Sequence, residues 1–250
     1  MKGKHTWIIG ASSGLGRQIA ESLAAKGVSV VLSARQIRDL QSNCKHIRNT
    51  CNVQSYDFPF DLSEIKIEND AQALIDDFTQ KFGFPEAIYV LSGAIIESDA
   101  DLMAATCLPQ LMAVNFMGPS LLISCLVRNR PKDRKIRVVV ASSVAAIRPR
   151  RKNISYGTAK KSLEQFCMGL LHSPATVGVK IQIIRFGYMD TNMCYGQKLP
   201  FHAAKLTSIV NRLTALEHKS SGLYYAPAFW YLIAIVLKSI PFFIYKKLKF

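Results

Sequence analysis

The chain has 250 residues, 49% hydrophobic and 20% charged, which suits one globular domain with a sizeable core. Six cysteines with no C-x-x-C pair read as free buried thiols of a reducing compartment, and five scattered histidines give a metal site no support. The formal charge of +15 gathers in Arg128–Lys135, Arg148–Lys152 and Lys246–Lys249; such clusters suit nucleic acid, anionic lipid or a phosphorylated ligand, but no nucleic-acid motif accompanies them, so no nucleic-acid partner is expected.

In chain order, the apolar run Thr6–Ile9 is too short for a secretory signal and reads as a first strand with no targeting segment. It runs into Gly10-Ala-Ser12-Ser13-Gly14-Leu15-Gly16 and then a segment in which Ile19, Leu23 and Ala24 repeat with helical spacing up to Gly27. Strand, glycine turn and helix are the setting of a dinucleotide fingerprint, here spaced G-x-x-x-G-x-G. Missing β-carbons admit a pyrophosphate, and the helix N-terminus offers unpaired N–H groups.

A second strand, Val28–Arg35, ends without a carboxylate and with Arg35. A carboxylate there would suit a ribose 2′-hydroxyl; an arginine suits a 2′-phosphate, so NADP(H) is favoured over NAD. A third strand region runs to Asp61 and Leu62, followed by an amphipathic helix through Ala71, Leu74, Ile75 and Phe78. The fourth strand closes on Ser92-Gly93-Ala94. Residues Leu102–Val127 read as mostly helical and include Asn115, with Pro119 a kink or an early turn. The fifth strand, Lys135–Ala141, leads to Ser142 and Ser143; a helix with Tyr156 follows, then a sixth strand in V-K-I-Q-I-I-R-F-G. Regular alternation of strand and helix indicates an α/β fold with a doubly wound parallel sheet.

Tyr156 and Lys160 lie one helical turn apart, and Ser143 precedes Tyr156. A free phenol with a pKa of about 10 is a poor acid or base near neutrality. A neighbouring ammonium favours its ionised form and makes it usable.

Together these residues resemble the short-chain dehydrogenase/reductase family over roughly residues 5–195. Asn115, Ser143, Tyr156 and Lys160 match the family's catalytic tetrad in order and spacing, and residues 10–16 match its glycine motif. Asp61 stands where the family's adenine-contacting aspartate follows the third strand. Phe186-Gly187-Tyr188-Met189-Asp190-Thr191 resembles the segment that packs on the nicotinamide, with Thr191 at a cofactor-contacting position. The resemblance implies a Rossmann-type fold and an NADP(H)-dependent oxidoreductase acting on a small carbonyl or alcohol. In that reading Lys160 binds the nicotinamide ribose and lowers the pKa of Tyr156. Tyr156 exchanges the proton, Ser143 holds the substrate oxygen, and Asn115 supports a relay through water and Lys160. It also implies a homodimer or homotetramer formed through helices near 102–127 and 155–171. Two departures stand out: Ser92 replaces the family's usual asparagine, and Phe186 its usual proline. A non-catalytic NADP-binding regulator on the same fold is the alternative, against which the intact tetrad stands.

Beyond Thr191, residues Asn192–Lys205 fall where the family's substrate lid lies, and Met193, Tyr195, Leu199 and Phe201 suggest an apolar substrate. A further helix is expected over Ala203–His218. Residues 1–222 thus form the expected domain, and 223–250 an apolar, basic-ended helical extension. Its clean apolar stretch, Pro227–Leu237, is short for a bilayer span, which takes about 20 residues. Peripheral membrane contact, packing inside the protein and a true span are its three readings, and the protein is expected to be cytoplasmic, with membrane association through this segment. Deletion of Tyr224–Phe250 is the sequence-level test of the first.

Overall fold

A computed structural model describes residues 4–96, 107–191 and 202–248. Seven parallel strands form one sheet in the order β3-β2-β1-β4-β5-β6-β7. The strands are β1 (His5–Ile9), β2 (Ser29–Ser33), β3 (Ser55–Asp57), β4 (Ala87–Val90), β5 (Ile136–Ser143), β6 (Val179–Phe186) and β7 (Gly222–Ala226). The chain winds outward from β1 to β3, then returns to place β4 on the other side of β1. The resulting crevice lies at the C-terminal ends of β1 and β4, where open parallel sheets bind ligands.

Alternation along the strands divides the core between two helical layers. Trp7, Ile9, Ile88, Val90, Val138, Val140, Ile181 and Ile183 face α3 (Glu68–Phe82), α5 (Gly118–Arg128) and α6 (Ile154–Leu170). Ile8, Val30, Leu32, Tyr89, Val139 and Ile184 face α1 (Gly14–Ala24), α2 (Ile37–Cys51) and α7 (Leu206–Ala215). Burial on both faces explains why these strands read as continuous apolar runs.

The expected helix over 102–127 begins outside the described residues; from residue 107 onward it consists of α4 (Leu108–Met112), a π turn over Ala113–Met117 and α5. Pro119 directly follows the π turn, and the backbone stays helical from Leu108 to Arg128, so the helix accommodates a residue without an N–H by its change of winding rather than by ending there. The run Leu108–Arg128 is long and apolar enough to cross a membrane by length and composition. Its Leu122, Ile123 and Leu126 are nevertheless buried against the sheet.

Three expectations change. The third strand proper ends at Asp57, although the Phe58 and Phe60 amides still donate to the carbonyls of Leu32 and Ala34, and Asp61 and Leu62 lie beyond it in a turn. The boundary at 222/223 falls inside β7, which pairs with β6 through Gln182↔Gly222 to Phe186↔Ala226. The extension proper is therefore α8 (Trp230–Ser239) and α9 (Phe242–Tyr245), and deletion from Tyr224 would cut a strand of the sheet. A span through this segment is not available among the described residues: α8 has ten residues and ends at Ser239, before Pro241, about 15 Å against a hydrocarbon core of about 30 Å. Of the expected lid, residues 192–201, including Met193, Tyr195, Leu199 and Phe201, lie outside the described residues.

Candidate active site

The glycine turn follows β1. Gly10 takes φ +89°, and a β-carbon there would lie 2.8 Å from the Ser92 nitrogen at the end of β4. One on Gly16 would collide with the Gly10 carbonyl oxygen, so the first turn of α1 can close onto the loop only as glycine. Gly14 has φ +54°, and its β-carbon position lies 3.5 Å from Thr191 Cγ2, which brings the end of the β6 segment over the turn. Ser13 stands at the N-terminal boundary of α1 in extended geometry with its side chain making no capping bond, and Leu15 packs below into the core. The loop is tied from outside by Asn43 on α2, whose amide donates to the carbonyls of Ala11 and Ser12 at 3.0 Å each. Asn43 is invisible to motif reading, because it lies in a polar helix with no signal beyond its buried setting.

At the end of β4 the site is built around Gly93. A β-carbon on Gly93 would lie 3.1 Å from Asn115 Oδ1 and 3.4 Å from Lys160 Nζ. Asn115, fully buried in the π turn, donates to the carbonyls of Ala94 (2.9 Å) and Leu111 (3.0 Å), and its Oδ1 accepts from Ala94 N (3.2 Å). Lys160, 3% exposed, donates to the carbonyls of Ala141 (3.0 Å) and Ser92 (3.3 Å). Ser92 thus serves through its backbone, and the replacement of asparagine there leaves the Lys160 contact intact.

Ser143 ends β5 opposite Phe186 of β6. Its Oγ accepts from Ala145 N at 3.1 Å, capping a short turn. Tyr156 is buried near the start of α6, and Lys160 follows on the same face. Gly157 keeps α6 close to that turn, with a β-carbon position 3.0 Å from the Ala145 carbonyl. Burial lowers the Lys160 pKa to about 8, against the opposing pull of Glu164.

Asp61 accepts at Oδ1 from the Ser63 amide (2.9 Å) and hydroxyl (2.8 Å), and the Leu62 carbonyl lies against Gly118 just after the π turn. Arg35 is exposed after β2, and among the described residues no hydrogen bond or ion pair holds it. The structure therefore gathers Gly10, Gly14, Ser92, Asn115, Lys160 and Thr191 by direct approach. Ser143, Tyr156, Asp61 and Arg35 stand along the same sheet edge.

Behind this edge of the sheet runs a buried network that the motifs do not announce. Glu164, fully buried, accepts from Ser142 Oγ (2.6 Å) and forms a two-point ion pair with Arg185 (2.7 and 2.6 Å). Arg185 also donates to Tyr225 OH at 2.6 Å. Its only sequence signal is periodic: Tyr156, Lys160 and Glu164 share one stripe of α6.

The cradle that β-carbons would fill and the buried ammonium beside it fit a nicotinamide dinucleotide. Sheet order, crevice and glycine turn together define a Rossmann-type dinucleotide-binding protein. The family model described as short chain dehydrogenase matches residues 4–198, and the chain belongs to the short-chain dehydrogenase/reductase family of oxidoreductases. It is 26% identical over 196 residues to an uncharacterized oxidoreductase of Staphylococcus saprophyticus, covering 76% of this chain and 80% of that one. Its fold matches a short-chain dehydrogenase/reductase from Burkholderia phymatum in complex with NAD, with a TM-score of 0.79, 18% identity and 96% of each chain covered. It likewise matches a short-chain dehydrogenase from Sphingobium yanoikuyae in complex with NADPH, with a TM-score of 0.78, 19% identity and coverage of 95% and 96%.

Proposed function

We propose that the protein is an NADP(H)-dependent reductase or dehydrogenase that interconverts an apolar carbonyl compound and its alcohol, with Tyr156 as proton donor and acceptor. The observation that carries this reading is the buried ammonium of Lys160, one turn from Tyr156 and fixed by two backbone carbonyls at the sheet edge. A bound nicotinamide supplies or accepts the hydride. Lys160 has three N–H donors; Ala141 and Ser92 take two, and the third serves a ribose hydroxyl. Its charge favours the ionised phenol, so Tyr156 gives its proton to the carbonyl oxygen more readily than a free tyrosine does. The Ser143 oxygen accepts from Ala145, which leaves its own O–H to donate to the same carbonyl oxygen. Asn115 holds the Ser92–Ala94 strand end on which Lys160 rests and lines the side of Lys160 from which a water relay runs. Gly10, Ser12, Ser13, Gly14, Leu15 and Gly16 cradle the pyrophosphate, Asp61 and Leu62 meet the adenine, and Thr191 closes over the turn.

An apolar substrate is supported by the packing beside Ser143, where Val144, Ile147, Tyr188, Trp230 and Leu237 form one cluster. The exposed Arg35, with Arg38 in the next turn, supports a 2′-phosphate. A reducing, cytoplasmic setting, in which the cysteines stay free thiols, is part of the reading. A homodimer or homotetramer through the outer faces of α5 and α6 completes the reading.

The test is oxidation of NADPH by a panel of long-chain ketones. Tyr156→Phe should lower kcat by about 10²–10⁴-fold while leaving NADPH binding within twofold. Turnover at the wild-type rate would remove Tyr156 as proton donor, and NADPH binding without turnover by the wild type would favour a regulator. Arg35→Asp should weaken NADP(H) relative to NAD(H) by about tenfold or more; an unchanged ratio excludes Arg35 as the discriminator.

A further inference from the structure

The two C-terminal helices have sharply different sides. Trp230 and Ala234 of α8 and Tyr245 of α9 are buried. On the opposite side Tyr231, Leu232, Ile235 and Val236 form an i, i+1, i+4, i+5 stripe, and Phe242 and Phe243 extend it across the Pro241 joint. All six are at least half exposed, Leu232 and Phe242 at 66% each. Single exposed apolar side chains are ordinary on a protein surface, whereas a contiguous set of this kind marks an interaction face.

We propose that this face of α8 and α9 docks flat on an anionic lipid bilayer and holds the reacting edge of the sheet at the headgroup layer. The rim carries the charge for it. Lys238, Lys246 and Lys247 are exposed beside the stripe, and no aspartate or glutamate follows Glu217 in the chain. Apolar residues seated in the acyl boundary, with lysines level with lipid phosphates, are what an interfacial helix requires. A second copy is a poorer occupant. Two-fold pairing would bring two lysine-rimmed faces together with no carboxylate on either to offset the charge.

The face is fastened to the site by two rigid tethers. Arg148, which follows the turn begun at Ser143, donates to the carbonyls of Leu237 (2.8 Å) and Ile240 (2.5 Å). Its guanidinium lies 4.1 Å from the centre of the Tyr245 ring, whose hydroxyl donates to the Pro149 carbonyl at 2.8 Å. The second tether is Trp230, packed so closely on Gly187 that no β-carbon fits there. Gly187 directly follows Phe186, the register partner of Ser143. Docking on lipid therefore places the Ser143 and Phe186 end of the sheet next to the membrane surface, from which an apolar carbonyl substrate is drawn. This last consequence rests on the proposed activity, whereas the docking does not.

The experiment is co-sedimentation of the full chain, loaded with NADPH, with vesicles of phosphatidylcholine alone or with 30 mole per cent phosphatidylglycerol (on the order of a cytoplasmic leaflet's anionic content). The wild type should pellet with the anionic vesicles and progressively less as salt rises. Leu232→Glu/Val236→Glu/Phe243→Glu, all on the exposed side, should reduce partitioning by about tenfold or more. Lys238→Glu/Lys246→Glu/Lys247→Glu should reduce it by about a hundredfold at low salt. Both variants should bind NADPH and turn over a water-soluble ketone as the wild type does. A wild type that stays in the supernatant with both vesicle types overturns the proposal, as does equal pelleting of wild type and the Leu232 variant. A dimer that the Leu232 variant dissociates, with no vesicle binding by the wild type, overturns it in favour of a second copy. Normal vesicle binding with no ketone turnover upholds the docking and defeats only the proposed activity.

Discussion

Lys160 shows at the scale of one residue how a site is maintained at a cost to the fold. Burial holds its pKa at about 8, below the ordinary lysine value of 10.5, so between those pH values the folded state binds fewer protons than the unfolded. Stability therefore rises with pH across that window, and below pH 8 the penalty of the buried charge is fully present. Two and a half pKa units correspond to on the order of 3 kcal/mol. Urea unfolding of the wild type and Lys160→Met between pH 7 and 10.5 should show the wild type gaining about that much relative to the variant. Parallel pH profiles would mean that Lys160 is not strained in the fold. Tyr156, Ser143 and Lys160 were legible in sequence because their spacing is set by a helix turn and a strand end. The carbonyls of Ala141 and Ser92 that hold the ammonium were not, because every residue carries a carbonyl and only the folded chain selects two.

Among the elements, α6 binds β5 and β6 together through a single carboxylate. Glu164 joins Ser142, beside Ser143, to Arg185, beside Phe186. Removing one partner leaves the other charged and buried, which costs about 3–5 kcal/mol, whereas replacing both with apolar side chains of similar volume is often nearly neutral. Glu164→Gln is expected to lose most of that amount in urea unfolding, and Glu164→Leu/Arg185→Met to recover at least half of it. A double variant as unstable as Glu164→Gln would show that the pair contributes more than mutual neutralisation. The helix and strands themselves were legible from periodicity. The π turn at Ala113–Met117, which sends Asn115 toward Ala94 and Leu111, was not, since a single i→i+5 turn leaves no mark on hydrophobic spacing.

For the whole molecule, the C-terminal segment is where sequence and structure diverge. A run that reads as one apolar extension is shared between a seventh strand, a helix seated on Gly187 and a short helix held by Arg148. Truncation should reveal the division. A chain ending at Ile240 loses only α9 and its one buried side chain, Tyr245; thermal unfolding should place it within about 2 kcal/mol of the full chain, with NADPH binding retained. A chain ending at Ser221 also loses β7 and uncovers the ladder of β6, and it should be recovered as aggregate or fail to bind NADPH. Equal stability of the two truncations would contradict the placement of β7 in the sheet.

Local pattern alone determined the α/β alternation, the glycine turn at Gly10–Gly16 and the order of Asn115, Ser143, Tyr156 and Lys160, because each is set by contacts within a turn or a strand of the chain. Tertiary structure decided what meets across the chain: Asn43 on the glycine loop, Glu164 on Arg185, Gly93 between Asn115 and Lys160, and Trp230 on Gly187. Those pairings depend on how the strands are ordered in the sheet. Apolar runs buried on both faces do not encode that order locally, since any of them could pair with any other.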